Sequence, residues 1–226
     1  AQPDLSTTIV IAVTMAAILF LSGINHKIVT AVIVIAIPVF CIFGYFVVQP
    51  DTGKKILSEY QYNRIVGFFQ DDNETAKKIR YQQENSLLAI GSGGLTGKGL
   101  YNNTVTSVKN GKLLSESHTD FIFTIVGEEL GFVGAAAVIL LLFMIVLECF
   151  ITGSRAPTFS GKLFCFGFGV LIAIQSFVNI AVATFLLPNT GVTLPFVSYG
   201  LTSLLSMYIG VGIVLNIGLQ RTKARV

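Results

Sequence analysis

Between Phe132 and Phe150 the chain runs nineteen residues with a single charged side chain, Glu148. A bilayer core takes about 20 mostly apolar residues per helix, so this stretch alone points to a membrane span. Four more runs of comparable character flank it. Leu5–Ser22 is broken only by Ser6, Thr7, Thr8 and Thr14, and ends at Gly23. Ile28–Val48 contains Pro38, which membrane helices tolerate as a kink. Leu163–Leu187 and Thr193–Leu219 complete the set. Upstream of Phe132, Phe121–Leu130 is also apolar, but Glu128-Glu129 between Gly127 and Gly131 sets it apart as an interfacial or re-entrant helix. The expected fold is therefore an all-α, polytopic transmembrane helix bundle of about five spans.

Composition agrees. The charged fraction is 12% and the hydrophobic fraction 53%, whereas soluble domains carry about 25% charged residues. A net charge of +3, scattered along the chain, gives no footprint for nucleic acid. Cys41, Cys149 and Cys165 lie in apolar runs and read as small buried hydrophobes rather than as a disulfide framework. The opening Ala1-Gln2-Pro3-Asp4 has no basic n-region or cleavage site, so no signal peptide is expected, and the chain reads as a piece of a longer protein.

Basic residues in the short connections set the orientation. Lys27, Arg155, Lys162, Arg221, Lys223 and Arg225 fall on one side, which is expected to be cytoplasmic together with the C-terminus. The short segments of the other side, Ala1–Asp4 and Pro188–Val192, carry none. Gln49–Thr119 then forms a large extracytoplasmic loop, whose nine basic residues are offset by seven acidic ones; loops beyond about 60 residues largely escape the rule. Within it, Ile56–Phe69 has modest helical amphipathicity, Asp71-Asp72-Asn73-Glu74 is a polar turn, and Thr75–Ile90 is a plausible helix ended by glycines at 91, 93, 94, 97 and 99.

Those glycines, in Ala89–Gly99, look like a nucleotide loop but do not fit one. The phosphate-loop pattern needs glycine where Ser92 stands, and Ser or Thr where Gly99 stands. A dinucleotide turn needs glycine at Thr96. Nor is ATP available outside the membrane.

Three stretches carry groups capable of chemistry. Asp120 sits where the loop enters an apolar segment, so Thr119 or Asp120 either caps a helix or presents a functional carboxylate. At about 1.5 Å per residue, Glu128 would stand about 12 Å further along one helix, too far for a retaining glycosidase pair at about 5–5.5 Å. Glu128 and Glu129 are expected to hydrogen-bond within the bundle. His118 has no second histidine on its side of the membrane, since His26 is on the other; this favours a polar interfacial role over metal ligation. In Leu187–Gly200, prolines and glycines break the backbone at membrane depth, and Ser198 and Tyr199 face either a neighbouring helix or a substrate groove. Gln175 and Asn179, one turn apart, read as glue between helices. No internal repeat is visible.

In this order the stretches resemble the SEDS family of bacterial membrane proteins, the RodA, FtsW and SpoVE group. The resemblance rests on Gln2-Pro3-Asp4-Leu5, Ala89–Gly94 with Gly97-Lys98-Gly99, His118–Phe123, Glu128–Gly131, and Leu194-Pro195 through Ser198-Tyr199-Gly200. Two positions depart from the family pattern: Ser6 stands in place of a usual Gly, and Leu201 in place of the second Gly of a Ser-Tyr-Gly-Gly run, next to the groove. The resemblance implies a ten-span parent, of which residues 1–226 would be a partial domain holding the last five spans and the 49–119 loop.

It also implies peptidoglycan glycosyltransfer: lipid II joined to a growing glycan at the outer face of the cytoplasmic membrane, beside a class B penicillin-binding protein that cross-links the product. Asp120 matches the family's essential outer-loop aspartate. One general base, contributing about 10²–10⁴-fold, suits attack by a sugar 4-hydroxyl on an anomeric carbon. The diphosphate leaving group needs positive charge rather than a second acid. Lys98 with Gly97 is the candidate for that contact, joined by Arg80 or a divalent cation. His118, Thr119, Glu129, Ser198 and Tyr199 complete the expected substrate-binding set. A lipid II flippase and a scaffold that recruits a transpeptidase are the competing readings.

Overall fold

The computed structural model describes residues 5–23, 59–69, 74–101 and 118–223, with single positions 31, 34, 38, 107 and 114. The expected span Ile28–Val48, except positions 31, 34 and 38, and with it Cys41, lies outside these residues, as do the turn Asp71-Asp72-Asn73 and Lys27, His26 and Arg225. The described residues form six helices and no strand. They are α1 (Leu5–Leu21), α2 (Glu59–Phe69), α3 (Glu74–Ser92), α4 (Ile122–Ser154), α5 (Phe159–Ala183) and α6 (Leu201–Lys223).

Three segments, Ile122–Ser154, Phe159–Ala183 and Leu201–Gln220, are long and apolar enough to cross a membrane, and α1 is a shorter apolar helix. Apolar side chains cover even their outer faces, with Ile139, Leu140, Phe143, Met144 and Leu147 exposed on α4. A helix apolar all round suits surroundings of lipid or further helices. The inner faces meet in a core of Cys149, Cys165, Phe168, Ile172, Met207, Val214 and Ile217, contributed by α4, α5 and α6. Both described cysteines are thus buried and unpaired. Backbones come close where side chains vanish, as membrane helices favour: a Cβ on Gly210 would collide with the Phe168 ring.

The ends of the bundle differ. Ile18 of α1 packs on Gly167, early in α5, while Thr7 and Val10 share a cavity of about 350 Å³ with Gln175, further along α5. The two helices are therefore antiparallel. At one end lie Arg155, Lys162 and the close of α6, where Ile217 packs against Gly161. At the other, α4 begins, α5 ends and α6 begins.

Helix boundaries depart from the hydropathy reading for local reasons. α5 begins at Phe159, not Leu163, because Thr158 caps it by accepting the Gly161 N–H at 3.1 Å. It ends at Ala183, and the chain curls so that Leu186 N–H and Leu187 N–H both reach the Ala181 carbonyl. α3 reaches the carbonyls at this end: Gln83 Nε2 donates to Leu187 and to Val182, which also accepts the Phe185 N–H, and Ser86 Oγ donates to Ala183. Such capping satisfies groups the helix itself cannot pair.

The last span is corrected more strongly. Residues 193–200 are irregular and the helix starts only at Leu201, running to Lys223. Pro195 holds Leu194 away from helical geometry. Ser198 N–H and Val197 N–H close back on the Leu194 carbonyl. The apolar side chains of this stretch join a second core with Phe123, Ala135, Leu142, Ala183 and Leu194 rather than a helix face.

Candidate functional site

The glycine stretch after α3 is a structural splice. Inside α4, Gly131 takes φ +66° and ψ −164°, which breaks the helix where the sequence divided Phe121–Leu130 from Phe132–Phe150. The break frees the Glu128 and Glu129 carbonyls and the Phe132 and Val133 amides. Lys98 N–H and Gly99 N–H donate to those two carbonyls at 3.0 Å each. Phe132 and Val133 donate to the Gly94 and Leu95 carbonyls at 2.9 and 3.1 Å. Four bonds thus replace the helical ones lost. The approach needs bare backbone: a Cβ on Gly97 would strike the Glu129 carbonyl, and one on Gly131 would strike the Gly97 nitrogen.

Gly97 and Lys98, the expected phosphate contact, are parts of this splice. The amides of Gly93, Gly94, Gly97, Lys98 and Gly99 all donate to protein carbonyls. Lys98 Nζ lies 2.9 Å from Glu128 Oε1, and Glu128 is only 1% exposed. Glu129 is buried beside this splice, with Tyr101 N–H on its Oε2 at 3.3 Å and its Oε1 without a partner. Arg80 pairs with Glu84 at 2.8 Å and lies over the Phe185 ring.

Asp120 stands just before α4 at the end opposite Arg155 and Lys162. It does not cap the helix: the N-cap is Phe121, with no side-chain cap bond, and Thr124 N–H goes to the Phe121 carbonyl at 3.0 Å. Its Oδ2 instead lies 3.4 Å from where a Cβ on Gly191 would be. Three backbone clamps fix the segment. Asn179 Nδ2 donates to the Asp120 carbonyl at 2.8 Å and to the Val192 carbonyl at 2.7 Å. Ser198 Oγ donates to the Thr119 carbonyl and accepts the Leu194 N–H, both at 2.7 Å. Tyr199 N–H reaches the His118 carbonyl at 3.0 Å.

Ser198 is therefore a positioning residue facing its neighbours, while the Tyr199 side chain, 74% exposed, points outward. His118 is exposed and Thr119 and Asp120 half-buried. Asn179 glues the site rather than a helix pair; Gln175 lines the cavity, with its Oε1 unpartnered. Among the described residues no three of His, Cys, Asp and Glu gather as a metal-binding group.

The sequence reading missed Arg64 as a site residue. Projecting from α2, it donates from one guanidinium nitrogen to the Thr190 carbonyl at 2.9 Å. Its two terminal nitrogens lie 3.2 and 3.4 Å from the same Gly191 Cβ position that Asp120 approaches. The only hint in sequence was a basic residue on an aromatic helix; a contact across 126 positions leaves no local pattern.

A bundle of apolar helices with a clamped carboxylate and a guanidinium at one rim is a polytopic membrane protein with a polar site at its surface. Residues 1–223 match the family described as "Cell cycle protein", the FtsW/RodA/SpoVE group, and the chain belongs to it. It is 34% identical over 223 residues to a probable peptidoglycan glycosyltransferase FtsW of Buchnera aphidicola subsp. Baizongia pistaciae, covering 97% of this chain and 54% of that one. It is 33% identical over 221 residues to the peptidoglycan glycosyltransferase MrdB of Escherichia coli K12, covering 98% and 56%. A solved peptidoglycan synthase complex, described for its coordination of polymerization and crosslinking, superposes with a TM-score of 0.67 at 25% identity, over 97% of this chain and 57% of its own. The chain thus spans little more than half the length of these relatives.

Proposed function

We propose that this chain carries the catalytic rim of a peptidoglycan glycosyltransferase that polymerises lipid II at the outer face of the bacterial cytoplasmic membrane. The observation that supports it most is Asp120: half-exposed, relieved of helix capping, and held from three sides at the end of the bundle remote from Arg155 and Lys162. With the basic end inward, as membrane insertion favours, the C-terminus is cytoplasmic, and Asp120 and the 49–119 loop face outward, where the substrate's sugars would lie.

In this reading the Asp120 carboxylate takes the proton of an acceptor sugar 4-hydroxyl as that oxygen bonds to the donor's anomeric carbon. The bond from that carbon to the lipid diphosphate breaks, and the diphosphate leaves with the electron pair. A leaving group already stable as an anion needs no general acid, consistent with the single clamped carboxylate. The relatives' names support the same chemistry; the synthase complex, described for coordinating polymerization and crosslinking, supports a cross-linking partner, which in this reading is a class B penicillin-binding protein.

A flippase fits less well. Transporters carry ionisable groups deep in their spans. In the described spans beyond Gly131, through Gln220, the Asp, Glu, Lys and Arg side chains are Glu148 and Lys162, both in the half nearer the basic end. In the full-length parent, Asp120→Asn is expected to abolish glycan polymer made from purified lipid II, seen on a gel, while the protein stays folded. Unchanged polymer yield and length from that variant would remove Asp120 as the base.

A further inference from the structure

Lys98 pairs with Glu128 and Arg80 with Glu84, whereas Arg64 meets the turn that Asp120 also approaches. We propose that Arg64 supplies the positive charge that receives the donor's diphosphate beside Asp120, an assignment that rests on the glycosyl-transfer reading above.

The geometry at Gly191 carries it. Two guanidinium nitrogens of Arg64 and Oδ2 of Asp120 converge to within 3.4 Å of one point, the position a side chain on residue 191 would occupy. Glycine, at φ +73°, leaves that point empty, so cation and carboxylate flank a bare stretch of backbone. A displacement at an anomeric carbon needs this pairing: a base on the entering oxygen and positive charge on the departing one, a few ångströms apart. Arg64 reaches the place from α2, and its bond to the Thr190 carbonyl fixes it there. Asn179 ties Val192 to the Asp120 carbonyl from the other side. Both charged groups are thus registered to the same turn, 190–192.

The chemistry of the side chain suits the task. A guanidinium stays protonated at any physiological pH, and its planar fork of five N–H donors matches phosphate oxygens. Its bond to the Thr190 carbonyl uses one of those donors. Charge placed before the reaction, in a site of fixed dipoles, stabilises a developing anion most.

Binding of the lipid product separates this role from a structural one, since it needs no turnover. The full-length protein would be titrated with undecaprenyl diphosphate and, in parallel, with undecaprenol, which shares the tail and lacks the phosphates. Arg64→Gln keeps an N–H donor for Thr190 but removes the charge. It is expected to weaken undecaprenyl diphosphate about ten- to a hundredfold and leave undecaprenol unchanged. Arg64→Lys keeps the charge and should stay within about tenfold of wild type for the diphosphate.

Full diphosphate affinity in Arg64→Gln overturns the assignment, as does an equal loss for both lipids. Either result leaves the general-base reading standing. Conversely, polymer from the Asp120→Asn protein removes that reading without touching the binding result.

Discussion

At the scale of single residues, two charges that look alike in sequence do different work. Lys98 and Arg64 both belong to the segment between the first and last described spans, but one serves the fold. Lys98→Ala takes a paired cation away from the buried Glu128 carboxylate and should destabilise the protein. Because Lys98 is itself 28% exposed, the cost falls at or below the low end of the about 3–5 kcal/mol usual for broken buried pairs. Adding Glu128→Gln should recover much of it. Unfolding of the detergent-solubilised parent measures both, and lipid II affinity should stay unchanged; a loss of affinity at unchanged stability would make Lys98 a ligand contact. The sequence exposed Asp120, Lys98 and Glu128 because charged groups stand out among apolar neighbours. It could not pair Lys98 with Glu128, 30 positions away, nor bring Arg64 to Asp120, because side-chain partners across such distances depend on how helices stack.

At the scale of elements, the existence of the described helices was legible and their ends were not. Hydropathy located α4, α5 and α6, and the break near Gly131 followed from its glycines and paired glutamates. Hydropathy failed at residues 193–200, where apolar side chains fill a core from irregular backbone, and at Thr158, where a single hydroxyl decides the start of α5. The glycine stretch was legible as special, but its partner was not. Its role gives a contrast within one loop. Gly97→Ala places a methyl against the Glu129 carbonyl at φ +79° and should strongly reduce the yield of folded protein. Gly91→Ala meets nothing within 4 Å in the last turn of α3, and should be neutral or stabilising by about 0.5–1 kcal/mol. Membrane expression and melting temperature of the two variants test the splice; equal behaviour would refute it.

At the scale of the whole molecule, the bundle has two chemically distinct ends, and the proposed orientation, basic end inward, is open to a direct test. In a parent whose native cysteines are replaced by alanine, Tyr199→Cys should react with a membrane-impermeant maleimide on intact cells. Lys162→Cys, at the opposite end, should react only after lysis. The reverse pattern would place Asp120 in the cytosol, away from the growing wall. The Asn179 side chain has a mechanical consequence of its own. Both hydrogens of one amide nitrogen grip the carbonyls of residues 120 and 192, so the acid and the turn facing it ride on the same stretch of α5. When the bundle flexes, the two travel together, and the gap between them keeps its width.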